Sequence, residues 1–224
     1  MSDLESVWKF REEVLYPRLF GKMIRGIFVL DFETFSGLSS GPVDPRWLHL
    51  GVFEFQPTPA SSSWLYVTSG GSTPWETEPE NYNEAEYSWL GVEFVLEAPH
   101  QADWPINVLR RLLAYHVLAC HGRFGEAPIP DYGHRIPTGG PIDGKQSVLR
   151  FVAICKPTHY PSTAQLASGK FDFLHVVGIS ETERDFAKAS STESLLTLLE
   201  ANGAAPVTNP LRQPIACGPN QSFG

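Results

Sequence analysis

The sequence is short of several things, and each shortage narrows what the chain can be. No apolar run approaches the roughly 20 residues that a membrane-crossing helix needs. The opening MSDLESVWKF is polar and acidic, unlike a secretory signal, so a cytoplasmic location is expected. There is no basic patch: the longest cluster is Arg110 with Arg111, and the formal net charge is −8, which argues against nucleic acid as a partner. Cysteine is scarce and odd in number, and Cys120, Cys155 and Cys217 are widely spaced. That excludes a disulfide framework and suits buried free thiols in a reducing compartment. No internal repeat and no low-complexity linker breaks the chain.

What is present is a globular composition of 224 residues, 12% of them aromatic, enough for one substantial domain with its own core. The stretch Glu86–Gly122 organises the rest. Its first part alternates: Leu90, Val92, Phe94, Leu96 and Ala98 share one face, and Glu93 and Glu97 the other, which predicts a strand with one buried and one wet side. Its second part carries Pro105 at a first-turn position, an apolar stripe of Ile106, Leu109, Leu113, Val117 and Cys120, and Gly122 as a stop, which predicts a helix packed on a sheet.

Around it, a first helix is expected over 2–20, with Ser2 and Glu5 at capping-box spacing and Pro17 ending it early. Strands are expected at Ile24–Leu30, Trp47–Gln56, Trp64–Thr68, Ser147–Cys155 and Phe171–Ile179. Arg123–Gly144, with four prolines and five glycines, reads as a loop holding a short extended piece at His134–Pro137. Pro157–Gly169 reads as a second loop. Ser180 with Glu183, and Ser190 with Glu193, start two late helices, the second closed by Gly203. Helices at the start, middle and end with runs of strands between them argue for an α+β fold, with a mixed, mostly antiparallel sheet covered by helices. The domain is expected to span 1–205, with a Pro-rich tail or edge-covering segment over 206–224.

Three stretches could carry chemistry. A strand ending in Asp31-Phe32-Glu33 would put both carboxylates on one side, as in metal-dependent 3′–5′ exonucleases. That chemistry needs further aspartates, and none follows at a suitable spacing, so Asp31 and Glu33 remain the alternative, nuclease reading. His116, Cys120, His121 and His134 could ligate zinc, but they lack a paired-ligand motif, so no metal and no cofactor is expected. Ser69-Gly70-Gly71-Ser72 follows a strand and could cradle an anion, yet it has neither the lysine of a nucleotide-binding loop nor a following helix, and reads as a turn.

An ordered set of segments resembles the Suppressor of fused family in its bacterial single-domain form. It comprises DPRWLHLGVFEF (Asp44–Phe55), WLYVTSGGSTPWE (Trp64–Glu76), GVEFVLEAP (Gly91–Pro99), INVLRRLLAYH (Ile106–His116), the spaced FG…GH.I…PIDG (Phe124–Gly144), FDFLHVVGISETE (Phe171–Glu183) and LLTLLEANG (Leu195–Gly203). The resemblance implies a non-catalytic domain that works by holding another protein. Animal members hold a transcription factor, using this domain and a second one for which this chain is too short. Their binding positions match His116 and Gly133, beside His134, but without the aromatic hydroxyl and the aspartate, so that partner does not carry over. For bacterial members the resemblance implies an immunity protein that binds and neutralises a toxin domain. The positions expected to meet a partner are His116, His121, Tyr132, His134, Arg135 and Asp143, at the exit of the central helix and in the loop beyond it.

Overall fold

The structure is a computed structural model in which residues 3–59 and 61–217 are described. The chain opens with a helical run: α1 (Asp3–Lys9), a π-helical stretch (Phe10–Leu15) and α2 (Tyr16–Phe20). Pro17 does not end the run early. It follows directly on the wider π turns and sits in the first turn of α2, where its missing N–H costs little. The expected cap at Ser2 lies outside the described residues.

Then come β1 (Met23–Val29), a short α3 (Phe32–Ser36), a 3₁₀ turn (Pro45–His49), β2 (Gly51–Phe55), β3 (Trp64–Ser69), β4 (Tyr87–Ala98) and α4 (Trp104–Cys120). After these follow β5 (Arg135–Pro137), β6 (Leu149–Cys155), β7 (Thr163–Leu166), β8 (Gly169–Ser180), α5 (Glu181–Ala189) and α6 (Thr192–Ala201). The strand expected over Trp47–Gln56 therefore starts only at Gly51. Asp44 caps Pro45 and Arg46 into a 3₁₀ turn instead, and Trp47 is buried from that turn. The loop expected over Pro157–Gly169 contains β7, which folds back on the start of β8.

The strands form one sheet in the order β1-β2-β3-β4-β8-β6-β5, with β7 paired to β8. Among the strand pairs of the described residues, only β4–β8 is parallel. This is the α+β architecture the element pattern called for. Helix α4 covers one face through Leu109, Leu113 and Val117, against Phe94, Leu96, Leu174 and Val176. The opposite face is covered twice. Tyr16 and Phe20 of the first helical run lie on Phe55, Val67, Val95 and Phe173, and α5 and α6 bring Ala187, Leu195 and Leu199 onto Ala153, Val177 and Ile179. Alternate residues of β4 and β8 thus enter different cores, as a strand's two-residue period demands.

This double cover corrects the expectation that Glu93 and Glu97 face water. Glu93 is 0% exposed and Glu97 3%. A buried carboxylate must be hydrogen-bonded or it neutralises. Glu93 accepts from Gly70 N (2.9 Å), Ser72 N (3.0 Å), the Ser72 hydroxyl (2.7 Å) and the Thr68 hydroxyl (2.6 Å). The Ser69–Ser72 turn therefore does cradle an anion, and the anion is the protein's own. Gly70 is required there: its φ is +133°, and a Cβ would stand 2.4 Å from Leu50 Cγ. Arg11, 1% exposed, lies 3.8 Å from Glu93 and 3.1 Å from Glu12, and donates to the Ser72 and Thr73 hydroxyls. Glu97 is held by the Ser63 hydroxyl.

The late helices start as capping rules require. Ser180 and Glu183 form a complete capping box, whereas the second cap is Ser191, accepting from Ser194 N, one residue beyond the expected Ser190. Described residues after Pro206 pack against the sheet and α5. Val207 bridges Glu97 in parallel, Thr208 is fully buried and donates its N–H to the Glu97 carbonyl, and Arg212 pairs with the buried Glu183.

Candidate functional site

With Ile106, Leu109, Leu113 and Val117 pinned to the sheet, the helical period carries Trp104, Val108, Arg111 and Tyr115, spaced four, three and four apart, onto a neighbouring face of α4. That face is one wall of a cavity of about 710 Å³. Its other wall is the segment from Phe124 to Gly144, contributing Phe124, His134, Arg135, Ile136, the Gly139 turn, Ile142 and Asp143.

The second wall is stitched in place. Gly133 N donates to the Ile154 carbonyl (2.8 Å), and Ile154 N to that of His134 (2.9 Å). Strand β5 then pairs with β6 from Arg135↔Ala153 to Pro137↔Phe151. Further on, Thr138 N donates to the Arg150 carbonyl (3.0 Å) and Ile142 N to that of Leu149 (2.8 Å). Asp143 closes the segment by accepting from Lys145 N (2.9 Å) and Ser147 N (3.0 Å). Desolvation raises its pKa, but these backbone donors together outweigh it and hold the carboxyl below its ordinary value. At the helix end, Phe124 stacks on Tyr115 with ring centroids 4.9 Å apart. The result is a trough with an apolar floor, a helix on one side and an ordered loop on the other.

The six residues expected to meet a partner separate into three groups. His134, Arg135 and Asp143 line the trough. Arg135 also donates to the Thr192 hydroxyl and so ties the loop to α6. Tyr132 lies behind the wall, donating to the Phe173 carbonyl (3.1 Å) with Lys156 over its ring. The two α4-end histidines are not in the trough. His116 is 1% exposed, edge-on to Phe94, with Nε2 at 3.5 Å from Cys120 Sγ. Burial lowers its pKa to about 4, so it is a neutral core residue. His121 turns to a separate aromatic cluster with Trp47 (4.7 Å) and Trp89 (6.3 Å). Sequence reasoning missed Trp104, Val108, Arg111, Tyr115 and Phe124. The four–three–four spacing of the first four was visible, but nothing in the chain alone said that this face stays open.

The other candidate chemistry is absorbed by structure. Strand β1 ends at Val29, and Asp31 caps α3, accepting from Thr34 N (2.8 Å) and pairing with Arg110. Hydrogen bonds from Thr34, with help from Arg110, lower its pKa to about 2. Asp31 and Glu33 therefore belong to a capped helical turn, which corrects the expectation of two carboxylates side by side on an extended strand. Among the described residues no group of three or more His, Cys, Asp or Glu side chains could hold a metal ion, and His116, His121 and His134 point to three different places. The cysteines are free thiols, and burial pushes Cys120 up to about 11 and Cys155 up to about 12. No helix among the described residues is long and apolar enough to cross a membrane.

The comparisons with known proteins decide the family. The sequence model of "Suppressor of fused protein (SUFU)" matches residues 46–213. The chain belongs to the Suppressor of fused family. That match takes in β2 to α6 and both named walls of the trough, α4 and the Phe124–Gly144 segment. Solved structures of similar fold include a protein of Neisseria gonorrhoeae FA 1090 described as a SUFU homolog, with 19% identity, a TM-score of 0.61, and 94% of this chain matched to 93% of that one. A Sufu–Fu complex matches at 17% identity and a TM-score of 0.63, over 95% of this chain and 91% of that one. Drosophila Suppressor of Fused matches at 17% identity and a TM-score of 0.56, over 73% of this chain and 42% of that one. No curated protein matches this Suppressor of fused domain.

Proposed function

We propose that the chain is a non-catalytic protein-binding domain and that it holds its partner in the trough between α4 and the Phe124–Gly144 segment. The observation that carries this reading is the trough itself. It is an apolar groove of about 710 Å³, with one wall a helix and the other a loop stitched to the sheet. A groove of that size and lining accepts a peptide segment or a set of side chains offered by a partner. Support also comes from the family, since one solved structure of the same fold is a Sufu–Fu complex.

The specific partner in this reading is a toxin domain, and the chain is an immunity protein that works in the cytoplasm. A net charge of −8 suits a role in covering a basic toxin, because complementary charge speeds encounter and blocks the toxin's own contacts. No second reading is kept: the Asp31 carboxylate is engaged in a helix cap and an ion pair, and Glu33 lies in the helical turn that Asp31 caps rather than beside it on a strand.

The test is co-expression with the product of the adjoining gene. Growth arrest by that product, relieved by this protein and not by a Val108→Asp variant that still folds, is the expected result. Relief that ignores Val108→Asp removes the trough from the account. Absence of any complex with any neighbouring product removes the immunity role.

A further inference from the structure

Besides Tyr115, which stacks on Phe124, four charged or ionisable side chains line the trough: Arg111, His134, Arg135 and Asp143. Three have internal partners. Arg135 donates to the Thr192 hydroxyl and the Gly133 carbonyl. His134 Nδ1 accepts from Asp131 N. Asp143 Oδ1 accepts from two N–H groups of its own loop, those of Lys145 and Ser147. Among the described residues Arg111 alone of the four has no hydrogen bond or ion pair, and it is exposed. Its neighbour Arg110 is by contrast paired with Asp31.

We infer that Arg111 is the specificity-determining residue of the trough and that it takes the side-chain carboxylate of an Asp or Glu within an otherwise apolar partner segment. This rests on the reading of the trough as the partner site and names the chemistry it selects. The guanidinium reaches the Gly139 turn on the opposite wall, where a Cβ on Gly139 would come within 3.3 Å of Arg111 Nη2. A guanidinium presents parallel N–H donors that match a carboxylate, and covering the pair with apolar surface strengthens it relative to water. Charge points the same way. The protein as a whole is at −8, but the trough carries two arginines against one aspartate, whose Oδ1 is held by its own loop. Position selects a side chain over a chain terminus. Trp104 lies about 10 Å along the helix axis in one direction and Tyr115 about 6 Å in the other, at 1.5 Å per residue, so groove extends on both sides of Arg111.

The experiment is panning of a random dodecapeptide display library on the full chain and on Arg111→Met, with Arg150→Met as a control arginine outside the trough. Peptides enriched on wild type are then resynthesised and titrated. The expected peptides carry an internal Asp or Glu between apolar residues. They bind Arg111→Met at least tenfold more weakly, recover partly on Arg111→Lys, and bind Arg150→Met as they bind wild type. Replacing the acid by Asn reproduces the loss, and amidating the C-terminus does not. Peptides that compete at the trough, as shown by loss on Val108→Asp, yet lack an acid or ignore Arg111→Met, overturn the role of Arg111 and leave the trough as the partner site. Loss on amidation alone makes the occupant a chain terminus and overturns the proposal. Failure to enrich any peptide sensitive to Val108→Asp overturns both.

Discussion

Replacing Glu93 by Gln tests whether an internal anion locks the N-terminal helical run to the sheet. The carboxylate is 0% exposed, takes hydrogen bonds from Gly70, Ser72 and Thr68, and is the nearest counter-charge to Arg11 besides Glu12. Gln is nearly isosteric, so no cavity opens. It removes the charge and turns an NH2 group toward a hydroxyl that is already donating. Breaking one partner of a buried ion pair costs about 3–5 kcal/mol. Glu12 stays 3.1 Å from Arg11 and softens that loss, so a cost of about 3 kcal/mol is expected. For a chain of this size that is a fall in Tm of roughly 6–12 °C. The assay is urea and thermal unfolding by circular dichroism, with Arg11→Met and the double variant completing a cycle. The double variant should lose clearly less than the sum of the singles, because both act on one network. A Glu93→Gln cost within about 0.5 kcal/mol of wild type, the range of ordinary surface changes, would refute the reasoning.

Asp31→Ala should cost about 1 kcal/mol, the usual worth of an N-cap. The deficit should narrow as pH falls from about 4 to about 2, because a carboxyl whose folded pKa is depressed stabilises above its unfolded value and loses that effect through its folded one. His116 acts in a higher window. Its folded pKa of about 4 lies below the ordinary 6.5, so the wild type should lose stability as pH drops from about 6.5 toward about 4, and His116→Leu should flatten that slope. The buried His175 is shifted in the same direction, chiefly by desolvation, and leaves a residual slope. In NMR the His116 ring should not titrate between pH 5 and 8. Leu113→Ala, fully buried beneath the sheet face, should cost about 2–5 kcal/mol in urea unfolding.

The parts of the fold that could be read from the chain were those with a local periodic cause. Strand β4 and helix α4 announce themselves by two-residue and four-three spacing, and Ser180 with Glu183 is a capping box that the structure completes. The misread parts depend on what lies elsewhere. Glu93 and Glu97 look wet because alternation places them opposite an apolar face; only the cover supplied by Tyr16, Phe20 and the C-terminal residues buries them. Parallel pairing of β4 with β8 joins segments far apart in sequence and has no local signature. Asp31 carried its true signal, an Asp with Thr34 three residues on, beside the more conspicuous Asp-x-Glu. In the candidate site, the loop was visible from its prolines and glycines, whereas the helix wall of Trp104, Val108, Arg111 and Tyr115 was not, since openness is a property of packing.

The most direct test of protein binding through the trough is site-specific photocrosslinking in living cells. A benzophenone amino acid is placed at Val108 in one strain and at Phe10, on the N-terminal helical run, in another. A discrete protein adduct formed from Val108 and absent from Phe10 is the predicted result. No adduct at Val108, or the same adduct from Phe10, would contradict it.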